Sequence, residues 1–264
     1  MSVKSTLIKL SWLLTSQFGI DPQRFFRALR GLPAFLRDYG QFRKSYVGLM
    51  HLMPCLHDRY EECGTTHSEY FWQDLLVARI IFENNPEKHV DIGSRIDGFV
   101  AHVASFRQIE VFDVRPITAS IPGVIFIQAD FTETMEGMSG YCDSLSCLHV
   151  LEHFGLGRYG DTVDPNGFEI GIANMARLLR REGVFYLSVP IGVERVEFNA
   201  NRVFDPRRIV FLCEQASLWL TSLIIISKNG GLSQVDISDN EYLSILAQES
   251  YSLGIFTFIK NELP

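Results

Sequence analysis

The residues best suited to bind a ligand stand at the ends of short apolar runs in the middle of this 264-residue chain. The first run continues into the sequence D-I-G-S-R, which begins at Asp91, and a second glycine follows at Gly98. Glycines after a buried strand let the backbone turn sharply and let a ligand approach closely. We therefore predict a cofactor-binding turn made of Asp91, Gly93, Ser94, Arg95 and Gly98.

Polar groups also stand where the next three apolar runs end. Asp113 ends the second run, Asp130 and Phe131 follow the third, and His149 follows the fourth. A carboxylate at Asp113 can accept both hydroxyls of a ribose, and a charge-assisted bond of this kind contributes roughly 1.5–3 kcal/mol. A polar side chain at Asp130 can reach the amino group of an adenine while Phe131 packs against the ring. Since ligands of open α/β sheets bind at the carboxyl ends of the strands, these positions together predict a nucleoside-like ligand.

Two histidines and an acid follow the fourth run in the order His149-x-x-Glu152-His153. His153 can titrate near neutral pH, so we predict that it is the general base if the acceptor is a hydroxyl, with His149 and Asp161 as further candidates. The order also fits an inverted zinc-protease motif, but that chemistry needs a long helix, and glycines interrupt this segment. We expect no metal; a divalent ion held by Glu152 and the histidines is the alternative.

A glycine-punctuated segment from Phe154 to Asp164 follows this motif, and no apolar periodicity explains it as core. Its glycines allow it to fold over a bound molecule, and Arg158 and Tyr159 are suited to hydrogen-bond a polar acceptor. Asn199 and Arg202, which come after the fifth run, are further candidates for the acceptor side. The alternative interpretation is that all of these are ordinary solvated loop residues.

Strand-length apolar runs alternate with helix-length stretches, which predicts a parallel sheet with helices on both faces. The predicted strands cover residues 89–92, 109–112, 124–127, 144–148 and 184–189. The last two enclose a predicted helix from about Gly167 to Arg181, which ends near Gly183. Two closing β-rich runs, at residues 218–226 and 254–259, are predicted to pair antiparallel.

The first 50 residues carry eight Lys or Arg against two acids, so their charge is +6 and the remainder of the −7 chain carries −13. This asymmetry predicts a helical, basic N-terminal segment at residues 1–66 and a second domain at residues 67–264. The segment is also amphipathic, with a predicted helix break at Gly31-Leu32-Pro33. Its apolar stripe consists of Phe25, Leu29, Leu32, Leu36, Tyr39, Phe42 and Tyr46.

Two interpretations of this stripe stay open. A helical stripe usually packs on a core or on a second subunit, so a homo-oligomer is compatible with the sequence. A basic helix with aromatic residues on its apolar side is also typical of peripheral contact with an anionic membrane, here through residues 1–50.

Composition and charge exclude several classes of protein. No apolar stretch reaches the roughly 18 to 20 residues that span a bilayer. The run from Leu7 to Leu14 contains Lys9 and is followed by no small-residue cleavage site, which argues against a secretory signal peptide. Five cysteines without a C-x-x-C pair argue against a disulfide framework and a zinc–cysteine site. The acidic second domain would repel phosphates, so we expect no nucleic-acid partner. The cysteine usage indicates a reducing compartment, so we expect a cytoplasmic location, which is compatible with peripheral membrane contact through the basic helices.

The order of these motifs resembles the class I S-adenosylmethionine-dependent methyltransferase superfamily. The matching phrases are D-x-G-S from Asp91, the acid Asp113, A-D-F at residues 129–131, H-V-L-E-H-F from His149, and R-L-L-R-R-E-G-V-F-Y-L-S-V-P at residues 177–190. The chain from Pro54 to Pro206 also resembles a methyltransferase-like family known only as a domain of unknown function. The phrases that carry this second resemblance begin at Tyr70, His89 and Glu152.

The resemblance implies a Rossmann-like methyltransferase sheet, parallel with an antiparallel C-terminal strand, preceded by the helical N-terminal segment. It also implies S-adenosylmethionine as the cofactor. The acceptor is then a hydroxyl, or less readily an amine, on a small molecule or glycan. By analogy with bacterial members, surface-polysaccharide biosynthesis is the expected setting.

Arg95 departs from the superfamily pattern, because most members have a second glycine at that place. A side chain there crowds the methionine portion of the cofactor, and a guanidinium repels a sulfonium although it can pair with a carboxylate. Two alternatives to a methyltransferase therefore stay open. One is an inactive binding or scaffold protein that keeps the fold, and the other is a nucleotide-sugar-handling enzyme in which Arg95 meets a phosphate.

Overall fold

The computed structural model describes residues 12–61, 63–64, 66, 68–133, 137–227, 231–237 and 240–261. The chain divides into two compact units, Met1–Thr65 and Thr66–Pro264. Within the described ranges, no helix combines the length and the apolar character that crossing a membrane requires.

The first unit is built on one long helix, α1 (Pro22–Arg43), which follows the helical residues 12–18. The carboxylate of Asp21 caps α1 by accepting the first free backbone N–H groups, and Pro22 starts the helix without needing a donor. The predicted break at Gly31-Leu32-Pro33 is wrong, because α1 continues through Pro33. At this turn the helix packs so closely that a Cβ on Gly31 would lie 1.8 Å from the carbonyl oxygen of Leu56. This close packing offsets the cost of a proline inside a helix.

The second unit contains the main sheet, whose eight strands lie in the order β3-β2-β1-β4-β5-β10-β8-β9. The strands are β1 (His89–Ile92), β2 (Ile109–Asp113), β3 (Val124–Gln128), β4 (Cys142–Leu148), β5 (Leu179–Ile191), β8 (Leu218–Ser227), β9 (Leu232–Gln234) and β10 (Ser252–Lys260). A separate hairpin pairs β6 (Arg195–Glu197) with β7 (Asn201–Val203).

Strands β1 to β5 are parallel, and β10 runs antiparallel to both of its neighbours, β5 and β8. The predicted parallel sheet with an antiparallel C-terminal strand is therefore confirmed, and it has the Rossmann-like methyltransferase form. The strand order reverses between β1 and β4, because the chain moves outward through β2 and β3 and then returns to the other side of β1. Ligands of such sheets collect in the crevice at this switch point.

Helices cover the two faces of the sheet, and two apolar clusters lie beneath them. The helices are α2 (Glu69–Asn84), α3 (Ala101–Ala104), α4 (Gly167–Leu178), α5 (Pro206–Gln215) and α6 (Asn240–Leu246). One cluster holds Val77 and Ile81 of α2 with Phe99, which lies just before α3. The other holds Ile172 of α4 and Ile209 of α5. Helices on both faces were predicted from the alternating pattern, and this prediction is confirmed.

The junction between α4 and β5 differs from the prediction. The helix ends at Leu178 rather than near Arg181, and Gly183 lies inside the thirteen-residue strand β5. Leu179 is already extended and pairs with Cys142 of β4. The predicted C-terminus is wrong because strand pairing overrides the helix preference of the Arg and Glu residues that follow.

Candidate cofactor and acceptor site

A cavity of about 330 Å³ opens at the carboxyl ends of β1 to β4, at the switch point of the sheet. Ten of the residues predicted for the site line it, namely Gly93, Arg95, Asp113, Asp130, Phe131, His149, His153, Arg158, Tyr159 and Asp161. The other six predicted residues do not line it, namely Asp91, Ser94, Gly98, Glu152, Asn199 and Arg202. The structure thus brings residues from four strand ends and one loop to a single pocket.

The turn after β1 closes tightly against the segment after β4. Gly93 has a φ of +69° and donates its N–H to the carbonyl of Phe112 at 2.7 Å. A Cβ at this position would lie 2.6 Å from Cγ1 of Val150. Both the left-handed backbone and the close approach require glycine here, so the predicted turn forms the floor between β1 and β4.

Asp91 and Ser94 lie beneath this turn instead of facing the cavity. The fully buried carboxylate of Asp91 accepts the backbone N–H of Ser94 at 2.9 Å and the hydroxyls of Ser94 and Ser146 at 2.7 and 2.5 Å. Burial raises the pKa of Asp91 to about 7, although these bonds oppose the shift. The two residues therefore hold the shape of the turn, and neither meets a ligand in the cavity directly.

Arg95 lines the cavity, but its charge is already paired. Its guanidinium forms a bidentate ion pair with Asp97, at 3.0 and 2.7 Å, on a largely exposed part of the surface. Gly98 lies against helix α2, where a Cβ would come within 2.5 Å of a carboxylate oxygen of Asp74. Gly98 thus makes room for a buried acid and does not contact the cavity.

Asp113 is held by an arginine that the sequence interpretation missed. The backbone N–H and the Nε of Arg115 both donate to Oδ1 of Asp113, at 2.8 and 3.0 Å. Its Nη2 donates to Oδ2 at 2.6 Å. The same guanidinium lies 4.4 Å from the ring centroid of Tyr159. A basic residue two positions after a strand-end acid is a local signal that could have identified this pair.

The third strand end forms the apolar side of the cavity. Oδ1 of Asp130 accepts the backbone N–H and the hydroxyl of Thr132, at 2.8 and 2.7 Å. Phe131 is buried and meets the ring of Phe112 edge-on, with the centroids 5.6 Å apart. The result is an aromatic wall with one carboxylate at its rim.

His149 is buried between two carboxylates. Its Nδ1 lies 2.7 Å from Oε1 of Glu152. Its Nε2 lies 3.2 Å from Oε1 of Glu69, which is within ion-pair distance, but these two atoms are not aligned for a hydrogen bond. Tyr70 stacks on the imidazole at 4.5 Å, and the hydroxyl of Tyr251 donates to Glu69 at 2.6 Å. Sequence reasoning missed Glu69, Tyr70 and Tyr251, although the phrase beginning at Tyr70 belongs to the second family resemblance.

The protonation of His149 follows from these contacts. Burial disfavours the imidazolium, but the carboxylates of Glu152 and Glu69 outweigh it and raise the pKa of His149 to about 9. An imidazolium has no lone pair with which to accept a proton, so His149 does not fit the predicted role of a reserve base. The side chain of Glu152 likewise contacts His149, and among the described residues the group that could hold an ion is His57, Asp58 and Glu61 of the first unit.

His153 has the opposite character. It lines the cavity and meets the ring of Tyr159 edge-on at 5.5 Å. Burial lowers the pKa of His153, and the nearby charge of Arg158 lowers it further, against the pull of Glu152. A guanidinium only donates, and Nη1 of Arg158 lies 3.4 Å from Nδ1, so the lone pair of Nδ1 faces Arg158. The lowered pKa favours a neutral imidazole, and Nδ1 can accept a proton once Arg158 releases this lone pair.

Asp161 organises the loop that follows His153. Its Oδ2 accepts the backbone N–H groups of Gly155 and Gly157 at 2.8 and 3.3 Å, and its Oδ1 accepts that of Tyr159 at 3.2 Å. Gly155 has a φ of +73°, and a Cβ there would lie 1.9 Å from the carbonyl oxygen of Asp164. Since both oxygens of Asp161 serve the backbone, this carboxylate fits a structural role better than the predicted catalytic one.

Arg202 and Asn199 are not part of the cavity wall. The buried guanidinium of Arg202 donates to the carbonyls of Phe154, Glu152 and Pro165, at 2.5, 3.3 and 3.1 Å, and so fastens both ends of the loop. Asn199 is exposed in the connection between β6 and β7. The β6–β7 connection contacts the loop after His153 through Ala200, whose carbonyl accepts from Nη1 of Arg158 at 2.7 Å.

Comparison with known proteins supports the fold assignment. Residues 123–225, less than half of the chain, match a family described as "Caenorhabditis protein of unknown function, DUF268". The predicted resemblance to a domain of unknown function is thus confirmed for this stretch. No curated protein matches the chain.

Several solved structures share the fold at low sequence identity. The [4+2]-cyclase SpnF is 13% identical, with a TM-score of 0.50 over 71% of this chain and 81% of its own. The 1,6-didemethyltoxoflavin-N1-methyltransferase of Burkholderia thailandensis, solved with S-adenosylhomocysteine, is 13% identical, with a TM-score of 0.49 over 92% of both chains. A TehB-like SAM-dependent methyltransferase of Corynebacterium glutamicum is 15% identical, with a TM-score of 0.48 over 87% of this chain and 100% of its own. Identities this low bear on the fold alone, and the similarity to the cyclase agrees with the α/β fold that the motifs predicted.

The raised pKa of His149 predicts that the protein loses stability at alkaline pH. A folded pKa of about 9 against an ordinary value of 6.5 gives a stabilisation that is complete below about pH 6.5 and is lost as the pH rises through 9. We expect thermal unfolding curves of the native chain to shift to lower temperature between pH 6.5 and 9.5. His149→Gln, which cannot titrate, should be less stable at pH 6.5 and show a smaller shift. Identical pH dependence in both proteins would contradict the buried imidazolium.

The role of Arg202 predicts that Arg202→Met exposes the loop without unfolding the sheet. Methionine keeps much of the length but has no donor, so the carbonyls at both ends of the loop lose their shared partner. We expect trypsin to cleave after the exposed Arg158 at least several-fold faster, with unchanged far-ultraviolet circular dichroism. Arg195→Met is the matched control, because Arg195 donates to the carbonyls of Val193 and Ser250 instead. Equal cleavage rates in the two variants would show that Arg202 does not hold the loop.

Proposed function

We propose that this chain is an S-adenosylmethionine-dependent methyltransferase that acts on a hydroxyl, or less readily an amine, of a small molecule or glycan. The observation that carries the proposal is the position of Asp113. Its carboxylate ends β2 and lines the switch-point cavity together with the left-handed turn at Gly93. A carboxylate in this place can accept the hydroxyls of a ribose, and a glycine turn admits the rest of a nucleoside-like ligand without a clash.

The other walls of the cavity suit the remaining parts of the cofactor. Phe131 and Phe112 offer an aromatic surface to the adenine, and Asp130 stands at its rim. His149 lines another side of the cavity, and behind it the carboxylates of Glu69 and Glu152 outnumber its single positive charge, so this group is net negative and is compatible with a cationic sulfonium. When bound, S-adenosylmethionine supplies an electrophilic methyl group on a positively charged sulfur. Arg95 does not oppose this, because its guanidinium is paired with Asp97.

The acceptor side is formed by His153 and the loop. In methyl transfer the acceptor oxygen forms the new bond to carbon, the carbon–sulfur bond breaks with its electron pair on sulfur, and the acceptor proton must leave. The lowered pKa of His153 favours the neutral imidazole, and its Nδ1 can take that proton once the guanidinium of Arg158 turns from this nitrogen to the acceptor. Arg158 and Tyr159 line the same side and can hydrogen-bond a polar acceptor. A role in surface-polysaccharide biosynthesis is part of this proposal by family analogy alone.

A second candidate function is a binding or scaffold protein that keeps the fold without catalysis. The observation that favours it is the bidentate pair between Arg115 and Asp113. Arg115 already binds the carboxylate that is proposed to bind the ribose. The name of the similar [4+2]-cyclase also indicates that this fold serves more than one chemistry. A nucleotide-sugar-handling enzyme is less well supported, because the guanidinium that would meet a phosphate is bound to Asp97.

Calorimetric titration of the full chain with S-adenosylmethionine and S-adenosylhomocysteine tests the cofactor. We expect both to bind, and Asp113→Ala to weaken binding tenfold or more, as the loss of a charge-assisted bond should. Asp205→Ala is the matched control, because Asp205 forms the same bidentate pair with Arg207 two residues later, away from the cavity. If neither ligand binds the native chain, the binding or scaffold alternative is favoured. If both variants bind like the native chain, Asp113 is not a ligand.

His153 should matter for turnover and little for the cofactor. We expect His153→Gln to lower methyl transfer by roughly 10²–10⁴-fold, the usual contribution of a general base, while affinity for S-adenosylhomocysteine changes less than about threefold. The measurement is formation of S-adenosylhomocysteine with a panel of hydroxylated small molecules and glycans. A variant that keeps full turnover on an acceptor used by the native chain would remove His153 from the catalytic role.

A further inference from the structure

The long helix of the first unit has an apolar face that none of the described residues covers. Phe25, Leu29, Leu32 and Leu36 recur at helical spacing on one side of α1 and are 61%, 52%, 39% and 57% exposed. We call these four residues the exposed stripe. Such a run of large apolar side chains in water marks an interaction surface.

The opposite side of α1 is already packed within its own unit. Gly31 lies against the backbone of Leu56, as described above. Arg27 pairs with Glu61 at 3.1 Å, and Asp38 pairs with Arg59 at 2.6 Å. The helix therefore has a fixed inner side, and the exposed stripe is its outer side.

Basic residues follow one border of the exposed stripe. Arg30, Arg37 and Lys44 recur every seven residues, a spacing that places them on one line along the helix. Arg37 is paired with Asp38, whereas the guanidinium of Arg30 lies over the ring of Tyr60, 4.3 Å from its centroid. Long basic side chains at such a border can lie along apolar surface while their charges reach toward anions.

The same unit also exposes aromatic residues. Trp12, Phe18 and Phe26 are 55%, 66% and 68% exposed. Aromatic side chains are enriched where one end of a residue is in hydrocarbon and the other in the headgroup layer. The combination of an apolar stripe, exposed aromatic residues and a basic border is typical of a helix that lies in the plane of a membrane surface.

We propose that α1 docks this protein on an anionic lipid surface. In this arrangement the exposed stripe enters the boundary between headgroups and acyl chains, and Arg30, Arg37 and Lys44 reach the phosphates. The +6 charge of residues 1–50 gives the complementary electrostatic attraction. The inference concerns where the protein works and does not depend on the proposed reaction.

Lipid accounts for both features of the helix at once. A two-fold contact between copies of α1 covers the stripe, but it brings the same basic borders of a +6 segment together. A protein partner would need acidic groups and an apolar groove in matching positions. Anionic phosphates above acyl chains provide the charges and the apolar layer in any orientation of the helix axis on the surface.

Vesicle flotation with the full chain tests the proposal. We expect the protein to float with vesicles of 70% phosphatidylcholine and 30% phosphatidylglycerol, not with pure phosphatidylcholine, and to be released by 0.5 M salt because screening weakens the attraction. Arg30→Gln with Lys44→Gln should weaken binding about 30-fold, since each basic residue near an anionic surface contributes about 1 kcal/mol. Leu29→Ser with Leu36→Ser should reduce binding at least tenfold.

The matched control replaces two exposed apolar residues of the second unit, Leu75→Ser with Phe82→Ser, and should float like the native chain. All six substituted residues are exposed, so the variants keep the fold, which circular dichroism verifies. Native protein that stays unbound with anionic vesicles at low salt overturns the proposal. So does binding that survives the loss of Leu29 and Leu36. Sedimentation that shows a dimer abolished by the same two substitutions, without vesicle binding, assigns the exposed stripe to a second copy.

Discussion

The wall of the cavity depends on one buried ionic contact, the imidazolium of His149 between Glu152 and Glu69. An uncompensated charge in this place would cost several kcal/mol, so the three groups must be buried together or not at all. Glu69 comes from α2, His149 from the end of β4 and Glu152 from the short helical turn after it, while Tyr251 reaches Glu69 from just before β10. The contact thus fixes the relative positions of a helix, two strand ends and a turn. The strand order alone brings these backbones close together but does not determine how their side chains meet.

The loop after His153 is held by hydrogen bonds from two charged side chains. Arg202 donates to carbonyls at both ends of the loop, and Asp161 accepts backbone N–H groups from its middle. A long segment with several glycines has a high conformational entropy, and these two side chains restrict it. Because the loop is restricted, His153 and Tyr159 keep their positions on the cavity wall.

The sequence predicted the sheet, its antiparallel closing strand and the strand ends that meet at the cavity, because burial and glycine turns leave periodic, local signals. It did not reveal which polar residue faces the cavity and which lies behind it. Asp91, Arg202 and Asp161 have the residue types of ligands or bases, but each is occupied by partners distant in the chain or by the loop itself. Glu69 and Tyr251 were missed for the same reason, since they are 182 residues apart and only the fold joins them. The predicted helix break at Pro33 was wrong because the rule that proline ends a helix considers only neighbouring residues and cannot include the packing of Gly31 on Leu56.

Arg95 and Asp113 of the cavity lining are each paired with a neighbouring charge, and this limits how a ligand can bind. A carboxylate offers about four lone-pair sites, and Arg115 fills three of those on Asp113. A ribose that forms two bonds to Asp113 must therefore displace at least one bond from Arg115. The guanidinium of Arg115 also lies over the ring of Tyr159, 4.4 Å from its centroid, so a ribose that drew Arg115 away from Asp113 would also change its contact with the loop after His153. One side chain thus contacts both the strand end proposed for the cofactor and the loop proposed for the acceptor.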